Sequence, residues 1–187
     1  MSKLIFTIII SIALPLSSFC QKLELEDSED NNVLIINPSG NRTSLKYDKI
    51  VLTCSNKIGN RSYLNNTNEI VYRSSSKATH ISVYNFPKNE QLVRVGLKGD
   101  RFTISIGNQL CYTLRTASSG AKLYDANGKV IGEASYNSLS KNTKIVSATQ
   151  KAIFNYKWPS ENYAAILWLA DKIPPQIRLI IINELLS

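Results

Sequence analysis

Histidine occurs once, at His80, and cysteine three times, at Cys20, Cys54 and Cys111. So few imidazoles and thiols leave no plausible ligand set for zinc. A Cys–His nucleophilic pair would need a free thiolate beside His80, which sits in the alternating strand-like run THISVYNF and reads as a surface or half-buried strand residue. The G-x-S-x-G elbow, the H-E-x-x-H zinc motif and both glycine-rich phosphate loops are absent as well. The sequence therefore assigns no catalytic residue, no metal and no cofactor. Acids are also few. From Val33 onward 20 basic side chains face 9 acidic ones, and none of the nine stands in the distinctive context of a hydrolytic carboxylate pair. Uninterrupted apolar runs are short. The C-terminal one is broken by Asp171, Lys172, the Pro174-Pro175 pair, Arg178 and Glu184, which argues against a membrane span there.

What the chain does have begins with MSKLIFTIIISIALPLSSFC, residues 1–20. Lys3 forms a positive n-region, Leu4 to Leu16 an apolar core, and Ser17, Ser18 and Cys20 offer small residues to a peptidase. The apolar run of about 13 residues is short of the ~20 needed to span a bilayer, so it reads as a secretory signal cleaved after Cys20, in preference to an anchor. Bulky Phe19 argues against a lipid anchor on Cys20. Residues 21–32 carry Glu24, Glu26, Asp27, Glu29 and Asp30 against Lys22, and read as a solvated, disordered leader. Residues 33–187 then form one domain. A secreted chain invites a disulfide between Cys54 and Cys111, the other reading being two separate buried thiols. Three sequons, at Asn41, Asn60 and Asn65, are candidate glycosylation sites in turn-rich segments.

Short alternating runs bounded by Gly, Pro and Asn follow one another from VLIIN (33–37) to AIFNYKW (152–158). Their near-regular spacing predicts a mainly β fold: an antiparallel closed barrel or sandwich of about ten strands. Gly107-Asn108 suits a two-residue hairpin that would set Ile104 opposite Cys111 and Phe102 opposite Thr113. The segment KLYDANGKVIGEA (122–134) resembles a calcium loop only at first sight, because with Asp125 as the first position Gly128 is fourth, where an EF-hand needs its glycine sixth. It reads as a hairpin in which Asp125 accepts backbone hydrogen bonds and Asn127 or Gly128 takes a positive φ, while Gly132 marks a bulge or a close approach. Residues 161–173 predict a helix that is apolar on nearly every side, N-capped by Ser160. Pro175 can open a second one over 176–186, although its isoleucines leave a strand open. An all-round apolar helix must be enclosed by protein, and the preceding sheet is the available enclosure.

Tyr112 and Leu114, Leu123-Tyr124-Asp125, Gly128-Lys129, Ile131-Gly132-Glu133 and the apolar stretch Ala164 to Ile173 together resemble the tubby C-terminal-like superfamily, which includes tubby proteins and phospholipid scramblases. The resemblance covers about residues 92–173. It implies a closed barrel with a hydrophobic helix threaded through it, and it points towards phosphoinositides or membranes. No family lipid-binding residue carries over to a position of this chain. The signal peptide and the extra helix after Pro175 depart from the family.

A basic body favours anionic partners: acidic lipid, sulfated glycan or nucleic acid, the last disfavoured by secretion. The leading expectation is a secreted, non-catalytic module for an anionic surface such as acidic lipid. Its candidate contacts are Arg94, Lys98 and Arg101 around one turn, and Lys122 and Lys129 flanking another. An extracellular interaction protein (effector, adhesin or glycan binder) would instead use exposed aromatics such as Tyr63, Tyr72 and Tyr136. A hydrolase without a known signature is the remaining alternative.

Overall fold

The computed structural model describes residues 21–55 and 59–187; the expected signal peptide lies outside them. Fourteen strands form the wall: β1 (Leu23–Asp27), β2 (Asn32–Ser39), β3 (Arg42–Tyr47), β4 (Ile50–Ser55), β5 (Asn60–Leu64), β6 (Ile70–Lys77), β7 (His80–Asn85), β8 (Gln91–Lys98), β9 (Arg101–Ile106), β10 (Gln109–Ala117), β11 (Gly120–Asp125), β12 (Val130–Asn137), β13 (Asn142–Ser147) and β14 (Ile153–Lys157). Each pairs antiparallel with its neighbours in sequence, and β1 pairs with β14 to close the barrel. Closure leaves no unpaired edge to template aggregation. Successive hairpins therefore alternate between two rims. We call the rim that carries the β8–β9, β10–β11 and β12–β13 turns the upper rim.

The barrel thus has 14 strands, and the expected ten is an undercount. The strands β1, β3 and β5 escaped because their alternation is masked. The disordered leader is corrected most clearly. In LELED the leucines Leu23 and Leu25 are fully buried while Glu24 and Glu26 point outward, and this strand closes the barrel between β2 and β14. High charge on the outer face of a period-2 strand is compatible with a buried inner face. In β5 the alternation is hidden for the opposite reason: one of its inward residues is Arg61.

The DANG hairpin has the expected form. Asp125 Oδ1 accepts hydrogen bonds from the backbone N–H groups of Asn127 and Lys129, each at 2.9 Å, and Gly128 adopts a φ of +80°. Asn65 and Asp27 organise the β5–β6 and β1–β2 turns in the same way. The Gly107-Asn108 turn also occurs, with Gly107 at φ +57°. The register it sets does not persist. A bulge at Cys111 shifts the ladder, so that Ile104 faces Tyr112 and Phe102 faces Leu114. The extra residue that a bulge inserts is left out of the alternation, and Cys111 is half-buried at the bulge, where its thiol reaches the Gln109 carbonyl.

The interior is filled by the C-terminal segment. A 3-10 helix, Ala164–Leu169, runs down from the upper rim, the chain turns at residues 170–174, and α1, Pro175–Leu185, returns. The 3-10 helix packs on β12, and α1 packs on β2, β3 and β7. The expected helix over 161–173 is corrected to these six residues. Asp171 and Lys172 are exposed, and Tyr112 Oη donates to Asp171 Oδ1 at 2.7 Å, so the chain must leave the interior there. The cap is also not Ser160: the N-cap position is Tyr163, whose side chain caps nothing, and just before it Asn162 Oδ1 accepts from Ala164 N at 2.8 Å. Pro175 does open α1, and Leu179, Ile180, Ile181 and Ile182 are wholly buried. Gly132 lets the 3-10 helix dock, since a Cβ there would collide with Leu169 Cδ1.

No helix among the described residues is long and apolar enough to cross a membrane.

Candidate anion-binding face

Directly paired strand residues share a face of the sheet. Following one ladder across the outer wall, Lys98 pairs with Arg101, Arg101 with Arg115, Arg115 with Lys122, and Lys122 with Glu133. Four cations on four consecutive strands thus stand side by side, all of them exposed. Opposed side chains in such pairs are about 5 Å apart, and like charges placed there are destabilising. Among the described residues only Lys122 is relieved, by an ion pair with Glu133 at 2.8 Å, and the hydrogen bond it donates to that carboxylate raises the Lys122 pKa. Among the described residues, Lys98, Arg101 and Arg115 have no carboxylate within ion-pair distance. Arg115 instead lies over the ring of Tyr124, 5.3 Å from its centroid.

The row borders a shallow concavity of about 600 Å³. Small residues, Gly120, Ala121, Ala134 and Ser135, leave room in it, and Arg115, Lys122 and Lys144 bring charge to it. Gly120 is needed where it stands. Its φ is +154°, and a Cβ would run into the Ala134 carbonyl of β12.

The structure brings Lys98, Arg101 and Lys122 of the expected set into one row and adds Arg115, which sequence reasoning missed. Arg115 lies in the strand QLCYTLRTA, away from any turn, so only the pairing register reveals it. The remaining two stand apart. Arg94 lies on the outer face of β8, four residues before Lys98, and is flanked by Ser82 and Ser105. Lys129 sits in the turn at the lower rim, beyond the far end of β11 from Lys122.

The interior holds a second charged group of the opposite kind. Glu184 of α1 accepts from Tyr63 Oη at 2.5 Å, Ser74 Oγ at 2.6 Å and Ser76 Oγ at 2.5 Å, and it pairs with Arg61 Nη1 at 3.0 Å. Arg61 also donates to Ser187 Oγ. Burial works against the Arg61 charge, but Glu184, together with Tyr63 and Cys54, holds the guanidinium pKa up. Burial, reinforced by Glu184, pushes the Tyr63 phenol well above its ordinary range. Every oxygen of this carboxylate is engaged, so the cluster fastens the end of α1 to the wall.

Cys54 belongs to this interior group, next to Asn183 at 3.7 Å, and burial raises its thiol pKa to about 11. The expected disulfide with Cys111 is corrected: both are free thiols. Cys54 lies on β4 and Cys111 on β10, six strands further round the wall, and Asn183 of α1 packs against Cys54 from the interior. Tyr63, expected among exposed aromatics, is fully buried; Tyr72 and Tyr136 are half-buried. Of the sequons, Asn41 and Asn60 are exposed, whereas the Asn65 side chain is engaged in its own turn. Among the described residues no group of three or more His, Cys, Asp or Glu is placed to hold a metal ion. A further cavity of about 420 Å³ opens at the upper rim, where apolar Phe102, Leu114 and Leu185 meet the acids Asp100 and Glu161. Its acidic lining is unsuited to an anion.

No family model matches the chain, and no curated protein matches it. Among solved structures, an Arabidopsis thaliana protein is similar at 12% identity, over 64% of this chain and 86% of its own, with a TM-score of 0.41.

Proposed function

We propose that this protein is a non-catalytic module that binds an anionic surface, most directly acidic lipid, through the outer row Lys98–Arg101–Arg115–Lys122. The observation that carries this reading is the set of three consecutive like-charge cross-strand pairs, only one end of which has a carboxylate neighbour. A row of that kind costs stability in the free protein. A partner that supplies negative charge removes the cost, and each Lys or Arg near an acidic bilayer contributes about 1 kcal/mol. The same proposal includes secretion after cleavage at Cys20 and membership of the tubby C-terminal-like superfamily. What supports the membership is the closed barrel with an apolar C-terminal segment inside it, admitted at Gly132; the second element, α1 after Pro175, departs from the single threaded helix that the resemblance implies.

Flotation with neutral vesicles and with vesicles containing phosphatidylserine tests the reading. The expected result is co-flotation with the acidic vesicles alone, lost as salt rises because exposed charges are screened over about 10 Å at 0.1 M. Equal binding to both compositions, or binding indifferent to salt, contradicts it.

A further inference from the structure

Leu139 is 96% exposed, far more than any other large apolar side chain among the described residues, the next being Leu110 at 42%. It occupies the tip of the β12–β13 hairpin at the upper rim. The tip is braced, because Asn137 Oδ1 accepts from the backbone N–H groups of both Leu139 (3.0 Å) and Ser140 (3.1 Å). The leucine is therefore held out by a formed turn. Isolated exposed leucines are common on protein surfaces, and its exposure alone would mean little. Its setting is what distinguishes it.

A concavity of about 560 Å³ runs from Leu139 along Tyr136 and Asn142 to Ser135 and Lys144. Ser135 and Lys144 also line the cationic concavity beside Arg115 and Lys122. The two are thus contiguous, and they connect the basic row to the apolar tip. Further exposed cations flank that tip. Lys141 ends the turn, and Lys157 is the strand partner of Asn142. Phosphate headgroups and acyl chains lie one above the other in a bilayer interface, and a cationic surface with a projecting apolar side chain matches that layering.

We infer that the upper rim around the β12–β13 hairpin is a membrane-docking surface, in which Leu139 enters the acyl boundary of an acidic bilayer while Lys141, Lys144, Lys157 and the row engage headgroups. This rests on the anionic-surface reading above. It adds the bilayer as the partner, where the row alone would serve equally well for a soluble polyanion.

The experiment measures binding of wild type, Leu139→Ala and Leu139→Trp to phosphatidylserine-containing vesicles and, in parallel, to heparin. Leu139→Ala is expected to weaken vesicle binding about five- to tenfold, the effect of removing part of a leucine from an apolar phase, and to leave heparin binding unchanged. In Leu139→Trp, lipids brominated on their acyl chains are expected to quench a larger share of the fluorescence than in wild type, where Trp158 lies beside the tip with its backbone N–H on the Lys141 carbonyl and Trp168 is buried. Vesicle binding unaffected by Leu139→Ala, or binding to heparin without vesicles, overturns the docking surface and leaves the anionic-surface reading standing. Failure to bind either probe overturns both. Because Leu139 touches solvent almost entirely, both variants are expected to keep wild-type thermal unfolding; a variant that unfolds early is replaced by Leu139→Ser, and the same outcomes apply.

Discussion

The inner cluster at Glu184, which joins α1 to β5 and β6, and the outer row at Arg101, which crosses four neighbouring strands, are both built from charged side chains, yet they are wired oppositely. Inside, one carboxylate has three hydroxyl donors and one guanidinium, and nothing ionic is left over. Outside, three of four cations face each other without an acid. A buried charge must be partnered because unpartnered it costs several kcal/mol. A surface charge escapes that demand because water screens it, so a run of unrelieved like charges is tolerated there and needs another explanation. The difference separates charge that holds the fold from charge that is available to a partner.

Changes inside should therefore lower stability, and changes in the row should not. The largest effect is expected for Arg61→Met, which leaves Glu184 buried without its cation and should cost about 3–5 kcal/mol in denaturant unfolding. A loss below 1 kcal/mol would mean that the hydroxyls alone satisfy the carboxylate. The next is a loss of stability at high pH. The Cys54 pKa is raised from 9.0 to about 11 in the folded protein, so the thiol's contribution is complete below pH 9 and disappears as pH rises through 11. Unfolding free energy should fall over that window by an amount on the order of 2 kcal/mol, and Cys54→Ala should flatten the part due to the thiol. A smaller loss, about 1 kcal/mol or more, is expected for Gly132→Ala, whose added methyl meets Leu169 in a filled interior. A neutral Gly132→Ala would show that the 3-10 helix can move aside.

The sequence displayed the wall better than its contents. Strand type, the Asp125 and Gly107 turns, the role of Gly132 and the opening of α1 at Pro175 were readable, because each depends on local pattern or on the few residues that tolerate a given backbone. The strand β1 was not, since its outward acids dominate the composition while two leucines decide its burial. Nor was β5, whose inward Arg61 makes sense only opposite Glu184, 123 positions away. The Cys54–Cys111 pairing failed for a related reason: compartment suggested a bond, but a closed meander separates β4 from β10 around its wall. The basic row was half legible. Turns pointed to Lys98, Arg101 and Lys122, whereas Arg115 emerges only when the register aligns it between two of them.

The most direct test of the account is the affinity of the double variant Arg101→Gln/Arg115→Gln for phosphatidylserine vesicles, measured beside its unfolding free energy. Removing two cations from the row should weaken binding by at least tenfold, at about 1 kcal/mol per charge, while stability stays level or rises slightly as the like-charge pairs vanish. Wild-type affinity in a folded double variant would contradict the claim that this row is the binding surface.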